Sequence, residues 1–316
     1  MIIQAVSGQS YETYIQQNIF DRLDMRNSFT SQEKALKHGM ATGYRWWFGI
    51  PLAVTFHYNR SELPAGYIIS SAEDIAHYLV AQINGGTYKD SSVLSPQGIA
   101  LTHVEPAPGT YGMGWESIEI NGNTLINHDG GTANFQSSIF FDPKERTGVF
   151  IAANVMCALD AFSSPHGSSL LDGSTVRAMA QHVLSMVTNQ PPPDEGPGIR
   201  KLYIIFNVVI LMLTLALIVS LLLISTRYKR LTQRGISTRS GFIWRISLIS
   251  ALHFVWPLVL LYVALNVLVW KVYVMFQPDL AYWLGAVAAI VFLKGLVELA
   301  LTWKVFRQTV HRVDKV

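Results

Sequence analysis

The stretch that decides the fold is NTLINHDGGTANFQSSIFFDPKERTGVFIAANV, residues 123–155. Its apolar residues fall into short blocks rich in β-branched and aromatic side chains, and turn residues separate the blocks. One turn is PKERTG at 143–148, and Asn121-Gly122 before the stretch is a strong hairpin signal. Together with YGMGWESIEI at 111–120, the pattern predicts a meander of antiparallel strands.

One strand of this meander has an unusual composition. His128 and Asp129 stand directly before Gly130 and Gly131. Glycine weakens a strand interior and often marks a place where a ligand or another backbone comes close. The composition is compatible with part of an active site and equally with a turn that contains His128.

Helices are predicted before the strands and after them. Ser10, Ser71 and Ser95 each precede a helical pattern as a candidate N-cap, and Pro96 then suits a first helical position. After the strands, GSTVRAMAQHVLSMVTNQ at 173–190 predicts a helix that covers the sheet. Helices packed on an antiparallel sheet form an α+β domain, which we place at residues 1–190.

The rest of the chain is predicted to be a membrane domain at residues 202–316. A proline-rich linker, residues 191–201, leads to it. Three stretches are long and apolar enough to cross a bilayer, which takes about 20 residues. They are Leu202–Ser225, Ile246–Trp270 and Ala281–Trp303.

Charge predicts the orientation of these spans. The segment between the first and the second span is basic and contains no acid, with Arg227, Lys229, Arg230, Arg234, Arg239 and Arg245. The tail after Trp303 is also basic. Because basic loops stay in the cytoplasm, both are expected there, which puts residues 1–190 on the extracytoplasmic side of a multi-pass cell-membrane protein.

Lys294 and Glu298 lie four residues apart in the third span and therefore on one helix face. A charge at mid-membrane is costly unless it is paired or faces other helices. Two interpretations stay open, namely a polar conduit or signalling contact and a structural ion pair.

Composition excludes several classes of function. The formal net charge of +3 is too small to indicate nucleic-acid binding. The nine histidines and the single cysteine, Cys157, show no metal-ligand spacing, so neither a metal nor another cofactor is expected. The lipid bilayer is the partner that the sequence predicts, and the oligomeric state is left open.

Five blocks of the first half resemble, in order, the β-lactamase-related serine hydrolases. This family includes class C β-lactamases, D-alanyl-D-alanine carboxypeptidases and related esterases. The blocks are IIQAVSGQSYETYIQQNIFDRLDMRNSF (2–29), ATGYR (41–45), LPAGYIISSAEDIAHYLVAQINGG (63–86), YGMGW (111–115) and HDGGTANFQSSIFFDPKERTGVFIAAN (128–154). The resemblance implies a partial β-lactamase/transpeptidase-like domain followed by three transmembrane helices.

The resemblance also implies a site. His128-Asp129-Gly130 occupies the position of the family's third motif, which begins with lysine or histidine on an edge strand. His128 would orient the substrate or share protons, and the Gly131 N–H would be one donor to the acyl oxyanion. Gly130, without a side chain, would let the substrate lie against the strand.

Four further positions could contact the substrate. Asp129 stands where the family commonly has a small or hydroxyl residue, and its carboxylate could repel a substrate carboxylate. Tyr111 and Trp115 are either packing residues or pocket walls, and Tyr67 could line the same cleft. The substrate would be a small molecule or a peptidoglycan-like peptide, ester or amide.

The family's nucleophile and base lie in a serine-x-x-lysine motif, and a tyrosine-x-asparagine motif assists them. The chain contains no tyrosine-x-asparagine, and its one serine-x-x-lysine string, Ser31 to Lys34, falls in a polar stretch that by the resemblance aligns with a surface loop of the family. The opening residues, MIIQAVSGQSYETY, lack the charged region, the apolar region and the cleavage site of a secretory signal. We therefore expect a fragment of a longer exported bacterial hydrolase that is inactive by itself. The alternative is a non-catalytic, ligand-sensing membrane protein with a degenerate hydrolase domain.

Overall fold

The computed structural model describes residues 2–55, 58–104, 111–120, 122–162, 174–192, 198–266 and 270–313. It divides into two compact units. The first consists of Met1–Trp46 and Ile50–Leu202, and the second of Trp47–Gly49 and Tyr203–Val316. Residues 193–197 of the predicted linker and Asn121 of the predicted hairpin turn lie outside the described residues.

The first unit contains both helices and strands. Its α-helices before Leu202 are α1 (Ile2–Ser7), α2 (Tyr11–Ile15), α3 (Gln32–Lys37), α4 (Leu63–Gly66), α5 (Ala72–Ile83), α6 (Pro96–His103) and α7 (Ser174–Val187). Its strands are β1 (Gly43–Trp47), β2 (Ile50–Val54), β3 (Thr87–Tyr88), β4 (Ser91–Ser92), β5 (Glu116–Ile120), β6 (Asn123–Gly131), β7 (Gln136–Asp142), β8 (Thr147–Ala153) and β9 (Val155–Met156). A π-helical turn, Gln16–Phe20, continues α2.

The predicted meander is a four-stranded antiparallel sheet in the order β5-β6-β7-β8. One face packs on α5, where Leu79 contacts a buried cluster with Trp115, Ile126 and Phe141. Because successive side chains in a strand point to opposite faces, neighbouring residues pack on the other side. There Leu125 and Phe140 form a second cluster with Ala180 and Leu184 of α7. The sheet is thus covered by α5 on one face and α7 on the other.

The predicted N-caps are present in the structure. The hydroxyl of Ser10 accepts a hydrogen bond from the Thr13 N–H, and that of Ser95 accepts one from the Gly98 N–H. Ser71 likewise accepts a hydrogen bond from the N–H of Asp74. Each cap satisfies a backbone donor that the first helical turn leaves without a partner.

A second sheet was not predicted from the sequence. It has three strands in the order β2-β1-β9, and β1 pairs with β9 in parallel. Tyr44 lies opposite Val155, more than a hundred residues later in the chain. No local sequence pattern predicts this pairing, because β9 is only two residues long and too short to show an alternating pattern.

The second unit is helical. After α8 (Ile199–Leu222) come α9 (Ile224–Arg234), α10 (Arg239–Ser250), a π-helical turn (Ala251–Val255), α11 (Trp256–Asn266), α12 (Trp270–Phe276) and α13 (Pro278–Val313). Three segments are long and apolar enough to cross a membrane by length and composition: Ile199–Arg234, Arg239–Val263 and Pro278–Val310. The second begins seven residues before the predicted span, and residues 267–269 of that span lie outside the described residues.

The prediction of an α+β domain followed by three long apolar helices is confirmed. Many apolar side chains on these helices are exposed, among them Leu211, Met212 and Leu258. Exposed apolar surface of this extent is typical of membrane-associated helices.

Candidate active site

The His128–Gly131 segment forms the open end of strand β6. On one side it pairs with β7, where His128 lies opposite Ile139 and Gly131 opposite Gln136. On the other side, pairing with β5 stops at Asn127 opposite Glu116. Among the described strands, none pairs with His128–Gly131 on that second side.

The register determines which backbone groups face this open edge. Thr132 donates its N–H to the carbonyl of Phe135 at 2.9 Å, so these two residues form a hydrogen-bonded pair. In an antiparallel ladder such pairs alternate with pairs that point their N–H and C=O groups outward. Gly130 therefore bonds toward β7, whereas Gly131 and Asp129 direct their backbone groups to the open edge. The Gly131 N–H is thus free of the β6–β7 ladder.

Gly130 faces Ser137 on the neighbouring strand. A Cβ built on Gly130 would lie 2.7 Å from the Ser137 hydroxyl oxygen. A side chain at this position would require Ser137 to move and would also cover the face of β6 that carries His128.

Tyr111 lies beside His128. Their ring centroids are 5.8 Å apart, and 49% of Tyr111 is exposed. Two effects raise the pKa of the Tyr111 phenol above its usual range. The larger is partial burial, and the smaller is the negative charge of the nearby Glu116 carboxylate. The phenol therefore keeps its proton at neutral pH and can donate a hydrogen bond next to the imidazole.

The tight YGMGW turn separates the roles of its two aromatic residues. Gly112 donates its N–H to the Trp115 carbonyl, and Met113 donates to the Thr102 carbonyl. Trp115 is 4% exposed, stacks on Tyr78 and contacts Phe141 edge-on. Trp115 is thus a core residue in this structure, whereas Tyr111 borders the open edge of β6.

Asp129 points to the opposite face of the sheet from His128, because the two are neighbours in one strand. Its carboxylate forms an ion pair with Arg177 of α7 and accepts a hydrogen bond of 2.5 Å from the Ser138 hydroxyl. Its side chain is 3% exposed. A contact between Asp129 and substrate remains a prediction, and the geometry shows the carboxylate engaged in holding α7 to the sheet.

Sequence reasoning did not single out Arg177, although the sequence carries a signal for it. Arg177, Ala180 and Leu184 are spaced i, i+3 and i+7 and therefore share one helix face. Ala180 and Leu184 are buried against the sheet. A single cation on that apolar face needs a buried anion, and Asp129 supplies it.

Tyr67 follows α4 and packs its ring edge-on against Tyr58, with centroids 5.7 Å apart. Burial is the larger of two effects that raise the pKa of Tyr67, the other being the Glu62 carboxylate. A place for Tyr67 in the substrate cleft stays a prediction.

The serine-x-x-lysine string lies at the short helix α3. Ser31 precedes the helix without capping it, and the residue of α3 that is buried is Ala35. Lys34 is exposed. A lysine acts as a base when burial or a neighbouring cation favours its neutral form, and an exposed position provides no burial.

Within the described residues, no three His, Cys, Asp or Glu side chains come together as a possible metal site. The arrangement at His128–Gly131 instead offers a strand edge that no described strand covers, together with a backbone donor, an imidazole and a phenol. An extended, amide-containing molecule can add to such an edge as an extra strand. Its carbonyl oxygen could then accept a hydrogen bond from the Gly131 N–H.

A protein-family model described as Beta-lactamase matches residues 1–163, which is more than half of the chain. The chain is 28% identical over 221 residues to Protein flp of Staphylococcus aureus (strain MW2), covering 69% of this chain and 41% of that relative. With Protein flp of strain MRSA252 the identity is 32% over 157 residues, covering 49% and 31%.

Two further similarities come from other organisms. The chain is 26% identical over 184 residues to Unguisins hydrolase ungD of Aspergillus violaceofuscus, covering 48% of this chain and 32% of that relative. A solved structure, the octameric penicillin-binding protein homologue from Pyrococcus abyssi, matches with 25% identity and a TM-score of 0.48 over 62% of this chain and 42% of that chain. The chain spans less than half the length of each of these relatives.

Proposed function

Because the chain belongs to the β-lactamase family, we propose that its first unit carries the substrate-binding wall of a membrane-anchored serine hydrolase. The substrate is a peptide, ester or amide, and a bacterial cell-wall peptide is the natural example. In the acyl-enzyme reaction a serine oxygen attacks the substrate carbonyl carbon, the leaving group takes a proton, and water then releases the acyl group.

The observation that carries this proposal is the open edge of β6, with the Gly131 N–H directed toward it. A backbone donor fixed in place before the substrate arrives stabilises the negative charge that develops on the carbonyl oxygen. His128 and Tyr111, in contact beside this edge, supply groups that can donate or accept protons or hydrogen bonds to the substrate.

The test compares two substitutions at Gly131 in the full chain. Proline removes the N–H, whereas alanine keeps it, and neither change removes a hydrogen bond to β7. Reversible binding of a fluorescent penicillin, measured by fluorescence anisotropy, should weaken about fivefold for Gly131→Pro, since one hydrogen bond contributes about 1 kcal/mol. It should change less than about twofold for Gly131→Ala.

Equal weakening by both substitutions, with unchanged thermal midpoints, would show that the Gly131 N–H does not contact the ligand. If the unmodified chain does not bind the fluorescent penicillin at all, the proposal that the first unit carries a substrate-binding wall is wrong. Peptides ending in D-alanyl-D-alanine and simple esters, used as competitors, then identify the class of substrate.

A second candidate function is ligand sensing without catalysis. It is favoured by the position of Lys34, which is exposed on the short helix α3. On a denaturing gel, the same fluorescent penicillin tests whether this chain contains a nucleophile of its own. We expect no covalent label on this chain, and a label that disappears in Ser31→Ala would contradict this assignment of Ser31.

The proposed location of the first unit is outside the cytoplasm, with the chain anchored in the cell membrane by its three long apolar helices. The basic segment between the first two helices and the basic C-terminal end support this orientation. In this location the first unit would have access to cell-wall peptides.

A further inference from the structure

The second unit contains a cavity of about 630 Å³ that involves α9, α10 with its π-helical turn, and α13. Leucine and isoleucine side chains form part of its wall, including Ile224, Leu248 and Leu252. Leu248 and Leu252 are also exposed. We call this cavity the basic groove because of the charges described next.

Five cationic side chains and one carboxylate line the basic groove. The cations are Arg227, Arg230, Arg234, Arg245 and Lys294, and the carboxylate is Glu298. Glu298 lies 3.1 Å from the Lys294 ammonium and 3.9 Å from the Arg227 guanidinium. A single carboxylate cannot balance five cations, so the groove has a positive potential that attracts anions.

Lys294 has two polar partners at this site, His253 and Glu298. His253 donates its Nδ1–H to the Ile249 carbonyl at 3.1 Å, which leaves Nε2 as an acceptor. The Lys294 ammonium donates to that Nε2 at 2.8 Å and pairs with Glu298 on the other side. These contacts orient the ammonium, while the arginines of α9 and α10 carry the unbalanced charge.

We propose that the basic groove binds one anionic phospholipid, with its phosphate at the arginines and an acyl chain along the aliphatic wall. Arginine forms paired hydrogen bonds with phosphate oxygens, and basic pockets between membrane helices bind anionic headgroups. The aliphatic wall distinguishes a lipid from free phosphate, because only the lipid can cover the leucines. The groove also lies on helices long and apolar enough to reach a bilayer.

The test uses the full chain in a zwitterionic detergent and counts the lipids that remain bound, by native mass spectrometry. Phosphatidylglycerol, phosphatidylcholine and inorganic phosphate are offered separately and in competition. For the unmodified chain we expect one phosphatidylglycerol to be retained at least tenfold more strongly than phosphatidylcholine. Inorganic phosphate in the millimolar range should not displace it.

A matched pair of variants locates the site. Arg230→Gln with Arg234→Gln removes two groove cations, whereas Lys229→Gln with Arg239→Gln removes two nearby exposed cations that do not line the groove. Each basic residue beside an anionic lipid contributes about fivefold to affinity. The groove variant should therefore bind phosphatidylglycerol roughly 25-fold more weakly, and the control variant should match the unmodified chain.

The two lipid arms need no variant, so they test the proposal even where a variant unfolds. Equal retention of phosphatidylglycerol and phosphatidylcholine would overturn it, as would displacement by inorganic phosphate, which would assign the groove to a free anion. Equal loss in both variants, with helical content preserved, would place the lipid elsewhere on the basic surface.

Discussion

Asp129 shows how one residue can look functional in sequence and serve the fold in the structure. It stands beside His128 in the segment that resembles the family's third motif, yet its carboxylate meets Arg177 on the opposite face of the sheet. The Arg177 guanidinium also lies over the Phe140 ring, 5.5 Å from its centroid. The Asp129–Arg177 ion pair therefore connects α7 to β6 on the sheet face opposite His128.

Removing Arg177 should destabilise the first unit more than removing both partners does. Arg177→Met leaves a buried carboxylate without its cation, which costs about 3 kcal/mol. The double variant Asp129→Asn with Arg177→Met should recover part of that loss, because no buried charge then remains unpaired. Denaturant unfolding of both variants measures the difference, and additive losses would contradict the pairing.

His103 makes stability depend on pH. Its ring contacts Trp115 and Phe141 edge-on and its Nε2 bonds to the Gln82 side chain at 2.9 Å. Burial lowers the pKa of His103, so the folded chain binds a proton here more weakly than the unfolded chain does. The stability contributed by neutral His103 is therefore complete above the unfolded pKa of about 6.5 and is lost as pH falls below it.

The expected result is a thermal midpoint of the first unit that falls between pH 7 and pH 5. The fall should be smaller in His103→Gln, which cannot titrate and keeps a hydrogen-bonding side chain. A pH dependence that His103→Gln leaves unchanged would show that other groups cause it.

At the scale of elements, the YGMGW turn connects the core to the candidate site. A Cβ on Gly112 would lie 2.9 Å from the Thr102 carbonyl oxygen and 3.1 Å from that of Trp115. Both are backbone atoms, so the turn has to shift to accept a side chain. Because the same turn presents Tyr111 to His128, the shift should also reach the site.

Gly112→Ala should therefore lower the stability of the first unit by about 1–3 kcal/mol, the usual cost of overpacking. It should also weaken fluorescent-penicillin binding. The matched control is Gly66→Ala, where an added Cβ meets nothing within 4 Å. Comparable losses of stability in both variants would show that the close approach at Gly112 is not the cause.

Elements with a local signal were predictable, and elements without one were not. The caps at Ser10, Ser71 and Ser95 follow from side chains that bond to the next helical turn, and the strands predicted on either side of Asn121-Gly122 pair as β5 and β6. The sheet formed by β2, β1 and β9 depends on pairing between segments far apart in the chain. The Arg177 contact with Asp129 is likewise long-range, although the helical spacing of Arg177 hints at it.

At the scale of the whole molecule, the proposed orientation across the membrane decides where the first unit would act. Cys157 is the single cysteine of the sequence and is buried, so it should react little with maleimides. Introduced cysteines can therefore report topology one at a time. Lys37→Cys lies on α3 of the first unit, and Gln233→Cys lies on the basic helix α9.

In intact cells, a membrane-impermeant maleimide should label Lys37→Cys but should label Gln233→Cys only after the membrane is permeabilised. Both positions are exposed, so a difference in labelling reports the side of the membrane. The reverse pattern would place the first unit in the cytoplasm and remove its access to cell-wall peptides.

The sequence by itself determined the α+β class, the family and the three long apolar helices, because these depend on composition, local spacing and short motifs. The tertiary structure decided which backbone donors face the open edge of β6, since this depends on the register with β7 and on where β5 stops pairing. It also brought His253 to Lys294, forty-one residues apart on different helices, and formed the basic groove. Contacts within one helical turn can be predicted from residues close together in the sequence. Contacts between distant segments depend on tertiary packing, which no local pattern specifies.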